Sequence, residues 1–399
     1  MRVLVVTRWY PTRENTYAGI FVREHAKAVR SCGNEVSVLH VTGVSDRSRG
    51  IWQLEEEVDP EITEGIPTFR VSHRAIPIRG MSYPIYLWSA VRAFRRLRAL
   101  GFEPDVIHAH VYDAGVPAVI IGKRYGIPVV VTEHFTGFPC RTLNGAAVRK
   151  ARYAFENADR VLPVSTYLRQ AIEAYDIKAK FEIVPDVLDT SLFFYASQGS
   201  GKGDQKRLIF VGNLEPTEHK GFPTLLNALI RLGERRRDWC LDVVGEGSER
   251  EEYERRVANA GLPVSIVFYG AQRKQEIAEM MRHSDIFVLP SRMETFGCVL
   301  AEALASGLPI VSTSVGSVPD LVPSGAGILV PPDDPAALAD ALDDVLSNLG
   351  SYDREAIAAG ARDQYSFEAV GAKLQAIYES VLSESGKVNG AARSTSAVS

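Results

Sequence analysis

Short runs of β-branched and aliphatic residues alternate with stretches of helical periodicity along most of the chain. In the first half the runs are VLVV at 3–6, EVSVLHV at 35–41, DVIHAH at 105–110, PVVVT at 128–132 and RVLPVS at 160–165. Apolar runs this short, separated by helix-length segments, predict buried parallel strands joined by crossover helices. A polar, glycine-rich stretch, SQGSGKGDQK at 197–206, interrupts the pattern. It then restarts with LIFVG at 208–212, CLDVVG at 240–245, VSIVFYG at 264–270, DIFVLP at 285–290 and PIVST at 309–313. The expectation is an α/β protein with two Rossmann-like, doubly wound domains, 1–195 and 205–365. Apolar positions at Phe367, Val370, Leu374, Ile377, Tyr378 and Val381 predict a closing amphipathic helix over 366–385. The polar residues 386–399 beyond it read as a disordered tail.

Composition narrows the function. A chain of 399 residues is long enough for two cores. Its net charge of −4, with no Lys/Arg block interleaved with aromatics, argues against a nucleic-acid partner. Cysteines 32, 140, 240 and 298 have neither metal-ligand nor redox spacing, which predicts free thiols behaving as small core residues in a reducing compartment. The amino-terminal MRVLVVTRWYP has too short an apolar run for a signal peptide, and no segment approaches the roughly 20 apolar residues of a membrane span. A cytoplasmic location is expected. YLWSAVRAFRRLRALG at 86–101 sets Leu87, Trp88, Val91, Phe94 and Leu97 beside Arg92, Arg95, Arg96 and Arg98. Such a helix can dock peripherally on the inner face of a membrane, though more often its charged face is simply solvated.

The chemistry concentrates in PSRMETFGCVLAEALASGLPIV, 290–311, where Glu302 falls in a helix otherwise apolar on every side. A carboxylate in such surroundings needs partners for its oxygens. Gly297 opens the helix and Gly307 closes it. The unpaired N–H groups of Thr295, Phe296, Gly297 and Cys298 form a natural anion seat. Glu294 lies on the loop eight positions before Glu302. Two acids flanking an anion seat suit a sugar nucleotide: phosphates at the helix start, sugar hydroxyls on one carboxylate, the ribose diol on Glu302. Lys220, before Gly221 and the helix FPTLLNALIRLG, can pair with a phosphate. A glycine at 19 opens the first helix and lets a ligand approach the backbone, or serves as a plain turn residue. His134 closes the strand VVVTEH, and alternation sends His108 and His110 to one side of the neighbouring strand. With no third ligand in sight, a zinc site is not expected.

In order, WYPTRENTYAGIFVREHAKAV, PDVIHAH, TEHFTG, VGNLEPTEHKG, VVGEGSEREEYE, FYGAQRKQEIAEMM and the E-x7-E pair Glu294 and Glu302 resemble the retaining glycosyltransferases of group 1, or GT4. The resemblance covers nearly everything except the tail. It implies the GT-B fold, two Rossmann-like domains facing a central cleft, the first for the acceptor and the second for the nucleotide-sugar donor. The closing helix is then expected to return to the amino-terminal domain. It implies that His134 lies beside the transferred sugar and His110 on the acceptor side, that Glu294 and Lys220 serve catalysis, and that Gly19 and the 294–298 loop contact the donor. Asn213 stands where the family usually has arginine, leaving Lys220 as the main cation toward the diphosphate. With no D-x-D pair, neither metal nor cofactor is expected beyond the donor itself. The expected activity is transfer of a hexose from a UDP-sugar or GDP-mannose to a hydroxyl acceptor, lipid-linked in surface polysaccharide or glycolipid assembly. A sugar-nucleotide epimerase or hydrolase on the same fold, or a silent binding partner of a membrane complex, are the competing readings.

Overall fold

The computed structural model describes residues 1–13, 15, 18–44, 54–58, 65–74, 82–197, 205–216 and 219–386. The chain divides into two compact units, 1–187 with 367–399, and 188–366. Most of the polar stretch predicted as a linker at 197–206, and all but the first residue of the tail at 386–399, lie outside the described residues.

The first unit is built on seven strands: β1 (Arg2–Thr7), β2 (Glu35–Val44), β3 (Leu54–Val58), β4 (Thr68–Arg74), β5 (Val106–His110), β6 (Val129–Glu133) and β7 (Arg160–Pro163), in the order β3-β4-β2-β1-β5-β6-β7. All neighbours pair in parallel except β3 with β4. The helices are α1 (Ile20–Ser31), α2 (Ser82–Ala99), α3 (Tyr112–Tyr125), α4 (Gly145–Glu156) and α5 (Thr166–Glu173). The central strands β1, β5 and β6 are wholly or almost wholly buried, which is why they read as unbroken apolar runs.

The second unit has six strands: β8 (Lys206–Val211), β9 (Trp239–Val244), β10 (Ile266–Gly270), β11 (Ile286–Leu289), β12 (Ile310–Thr313) and β13 (Gly327–Val330), all parallel in the order β10-β9-β8-β11-β12-β13. Its helices are α6 (Phe222–Arg235), α7 (Arg250–Ala260), α8 (Lys274–Arg282), α9 (Cys298–Ala305), α10 (Val318–Leu321), α11 (Pro335–Ser347) and α12 (Arg354–Tyr365). The last helix, α13 (Phe367–Glu384), belongs to the first unit. There Val370, Leu374, Ile377, Tyr378 and Val381 join Val22, Ala26 and Val29 of α1 in one core. Gly371 permits the close approach: a Cβ there would lie 2.6 Å from the Ala28 carbonyl oxygen.

One expectation needs correcting. None of the four cysteines is a buried core residue: Cys140 and Cys298 are exposed, Cys32 and Cys240 partly so, although all are free thiols. Cys140 sits on the loop after β6 and Cys298 begins α9, positions that lie outside the packed layers. The basic face of α2 also has partners within its own unit. Arg96 pairs with Glu56 at 2.8 Å and Arg98 with Glu103 at 2.8 Å, while the Arg92 guanidinium lies 5.5 Å from the Trp88 ring. No helix among the described residues is long and apolar enough to cross a membrane.

Candidate functional site

The site residues expected from sequence fall into two sets, one at the carboxyl edge of each sheet. In the second unit Glu294 follows β11 and is 7 % exposed. Its Oε1 accepts from Lys220 Nζ at 2.7 Å and from Ser291 Oγ at 2.7 Å. Backbone contacts fix both sides of this pair. Gly221, in a left-handed conformation (φ 68°), lies against Pro290, where a Cβ would be 1.8 Å from the carbonyl oxygen, and the Arg292 N–H donates to the His219 carbonyl at 2.8 Å. On the far side Ser317 bonds the Glu294 and Phe296 carbonyls, and Gly316 leaves room for the Glu294 backbone. Thr295 is half-buried, Phe296 and Gly297 are buried, and Cys298 is exposed at the start of α9. Gly297 caps that helix with φ 91° and, lacking a side chain, makes no side-chain cap bond; the start of a helix carries backbone N–H donors and a partial positive charge.

Glu302 is 5 % exposed, as its apolar helix predicts, and the structure answers how its charge is tolerated: Lys274 Nζ, at the start of α8, lies 3.1 Å from Oε1. The structure thus brings Lys220 and Glu294 together and gives Glu302 a separate cation. Asn213 is exposed on the loop after β8, next to Gly212, which packs against the Lys220 side chain.

In the first unit four histidines form one buried cluster. His110 and His134 stack with centroids 5.3 Å apart, His108 and His110 at 4.5 Å, and His25 of α1 meets His110 and His134 edge-on at 5.3 and 5.5 Å. His134 Nδ1 is 2.9 Å from Asp186 Oδ1, and its Nε2 is 3.1 Å from His110 Nδ1. Asp186 Oδ1 also lies 3.6 Å from His25 Nε2. The Nδ1 contact to Asp186 has the distance of an ion pair without the geometry of a hydrogen bond, whereas Nε2 and His110 Nδ1 share one hydrogen bond whose direction depends on the tautomers. An Nε2–H donated by His134 to a sugar hydroxyl therefore has to replace the His110 contact. His108 is spent on structure, bonding Tyr378 of α13 at 2.6 Å and Thr132 at 2.7 Å. Burial lowers His25 to about 4 and holds His108 and His110 well below the usual imidazole range.

Glu133 shapes the loops bearing these rings. Fully buried, it accepts the N–H groups of His134 at 2.8 Å and Phe135 at 2.7 Å on one oxygen and that of Tyr112 at 2.9 Å on the other. Burial raises its pKa to about 7 against those hydrogen bonds. Between His110 and Tyr112, Val111 has φ 69°, a strained value for a β-branched residue, held in place by its N–H bond to the Thr132 carbonyl. The glycine at 19 also owes its identity to the chain itself: with φ 63°, a Cβ would be 2.2 Å from the Trp9 carbonyl oxygen.

Sequence reasoning missed Asp186, Glu133, His25, Lys274 and Ser291. A carboxylate beside a site histidine in TEH signals Glu133; nothing in spacing links Asp186 or Lys274 to partners 52 and 28 residues away.

Residues 196–364 match the family model for glycosyl transferases group 1, and residues 18–192 that for glycosyltransferase family 4. The chain is 30% identical over 397 residues to the D-inositol 3-phosphate glycosyltransferase of Corynebacterium aurimucosum, covering 91% of each chain. It is also 30% identical over 348 residues to the GDP-mannose-dependent alpha-mannosyltransferase of Mycobacterium tuberculosis, covering 83% of this chain and 84% of that one. Among solved structures it resembles HepE of Anabaena in complex with UDP and glucose, with a TM-score of 0.72 at 18% identity, over 95% of this chain and all of that one.

Proposed function

The chain belongs to the group 1, family 4 glycosyltransferases and has the GT-B fold, and on that basis we propose that it moves a hexose from a nucleoside-diphosphate donor to a hydroxyl acceptor with retention of anomeric configuration. The observation that carries this reading is the Lys220–Glu294–Ser291 group at the mouth of α9. Lys220 has three N–H bonds, of which one holds Glu294; the others can meet diphosphate oxygens, together with the N–H groups at the start of α9. Glu294, held in one orientation, accepts from sugar hydroxyls. Glu302, balanced by Lys274, accepts from the ribose. The departing phosphate takes the acceptor proton, so no separate base and no metal enters the proposal.

His134 is proposed to line the reacting sugar, oriented by Asp186. The second unit is proposed to hold the donor and the first the acceptor. A role in polysaccharide or glycolipid assembly rests on the resemblance alone. Peripheral contact of α2 with an anionic membrane belongs to the same proposal: Arg96 pairs with Glu56 yet stays largely exposed.

The test is turnover of UDP-glucose, UDP-galactose and GDP-mannose with and without acceptor, alongside thermal shift. A donor at 100 times its dissociation constant stabilises the protein by about 2.7 kcal/mol. Transfer that requires acceptor, survives EDTA and falls by ~10²-fold in kcat/KM in Lys220→Ala is expected. Donor breakdown indifferent to acceptor would indicate a hydrolase or epimerase.

A further inference from the structure

We propose that a pocket on the flank of α5, in the first unit, binds a small aromatic anion, an arene carrying a carboxylate or a phosphate; the inference goes beyond the transferase reading and shares no residue with either set of site residues above. The pocket encloses about 400 Å³, within the roughly 300–1,000 Å³ of ligand sites. One wall is a face of α5: Tyr167, Gln170 and Ala171, with Ala174 at the C-cap, recur at helical spacing, whereas Leu168 and Ile172 are buried beneath. The facing wall is the loop after β6, through Phe138, Arg141 and Leu143, and Tyr175 closes the end.

Both walls are fixed before any ligand arrives. In the loop the N–H groups of Cys140, Arg141 and Thr142 donate to the carbonyls of Thr136, Phe138 and Gly137 at 3.1, 3.1 and 3.0 Å. Phe138 is buried and meets the Tyr175 ring edge-on at 5.7 Å, and Arg152 of α4 donates to the carbonyls of Tyr175 at 3.0 Å and Asp176 at 3.2 Å. Arg141 is held at φ 53°, a left-handed value uncommon outside glycine, which persists only where the surroundings impose it. Its guanidinium is the one charge in a lining that holds no acid, and it makes no hydrogen bond or ion pair with any described residue. The Tyr175 hydroxyl is buried and lacks a hydrogen-bond partner among the described residues. Such a group costs stability, and a small swing of the side chain would bring it to an acceptor lodged in the pocket. A flat apolar body suits the rings, Leu143 and the two alanines, while the guanidinium fork matches two oxygens of a carboxylate or phosphate. A neutral arene would leave Arg141 unmatched, and a bare inorganic anion would leave the aromatic walls unfilled.

Phenyl phosphate is titrated into the full chain by calorimetry, with inorganic phosphate and phenol as controls. Saturable binding with a Kd of about 0.1–1 mM is expected, as suits so small a ligand, and each control should bind at least about tenfold more weakly. Pyrophosphate, a probe of the diphosphate seat at α9, should not compete. Arg141→Gln should weaken phenyl phosphate about tenfold, as the loss of a charge-assisted contact implies. Ala174→Trp, which sets a large ring into the pocket from an exposed position, should abolish binding. Tyr175→Phe should weaken binding about fivefold without lowering the melting temperature, because the hydroxyl has no bond to lose in the free protein. Absence of saturable binding to about 10 mM, displacement by pyrophosphate, or an affinity unchanged in Arg141→Gln and Ala174→Trp overturns the site. The two readings fail separately. Phenyl phosphate binding in a chain that turns over no nucleotide sugar removes the transferase and leaves this site; transfer by a chain that binds no phenyl phosphate removes this site and leaves the transferase.

Discussion

At the level of single residues the site works through side chains that hold other side chains. Asp186 is the clearest case. Its carboxylate lies 2.9 Å from His134 Nδ1, close enough for its charge to bias the orientation and tautomer of the ring. Asp186→Asn keeps the size and removes the charge. Loss of that charge should lower kcat by roughly 10-fold or more, about 1.4 kcal/mol of barrier, with donor affinity nearly unchanged. Asp186→Glu should recover part of the loss, which a merely structural aspartate in this packed cluster would not allow. A parallel fall of donor affinity and kcat in Asp186→Asn would assign it to folding instead. Glu302 was legible because a carboxylate in an apolar helix contradicts its surroundings. Its partner Lys274 was not, because a lysine at a helix start looks like any solvated lysine until the fold sets it 3.1 Å from Glu302. Asp186, distant in sequence from His134, is hidden for the same reason.

Among the elements, legibility followed burial. Strands covered on both faces, such as β5 and β6, announce themselves as apolar runs. β3, with sequence LEEEV, does not: among the described residues it is an edge strand pairing with β4 alone, and acidic residues on an edge resist pairing with other chains while erasing the hydrophobic signal. β4, TFRVSHR, alternates between the two faces and has a polar sequence for that reason. The packing of α13 on α1 is the element-level contact most open to test. Gly371 faces the backbone of Ala28, where a Cβ would be 2.6 Å from the carbonyl oxygen and 2.8 Å from Cys32 Sγ. Gly371→Val should therefore push the helices apart. The expected loss is about 1–3 kcal/mol by urea unfolding, the range for overpacking a close-packed contact. Gly360→Ala, on α12 with nothing within 4 Å of an added Cβ, should be neutral or stabilising and serves as the control. Equal stability of Gly371→Val and wild type would mean that α13 does not pack against α1 as described.

Across the whole molecule, buried titratable groups are unevenly shared, and this sets how the protein meets acid. Of eight histidines, six precede residue 187 and belong to the first unit, while His219 and His283 of the second are exposed. Burial lowers His25 and His40 to about 4, and His108 and His110 well below the ordinary value. In the unfolded chain imidazoles titrate near 6.5, so below that pH the unfolded state takes up protons that the folded unit refuses. The stability gained from neutral burial is complete above about pH 6.5 and is lost as pH falls toward 4. At 1.36 kcal/mol per pK unit, His25 alone accounts for about 3 kcal/mol by pH 4. Glu133 acts in the opposite sense: its pKa is raised to about 7, so its contribution is present at low pH and lost as pH rises through 7. One carboxyl does not offset four imidazoles, and about 3 kcal/mol from each of two histidines rivals the 5–15 kcal/mol of a typical domain. The first unit should therefore melt at falling temperature as pH drops from 7 to 5, while the second changes less. Calorimetry at several pH values should resolve the separation, and His25→Gln, which removes one titrating group, should flatten the pH dependence of the acid-sensitive transition by about one proton. A melting profile that stays flat between pH 7 and pH 5 would show that these imidazoles reach solvent and that the cluster is not the buried group described.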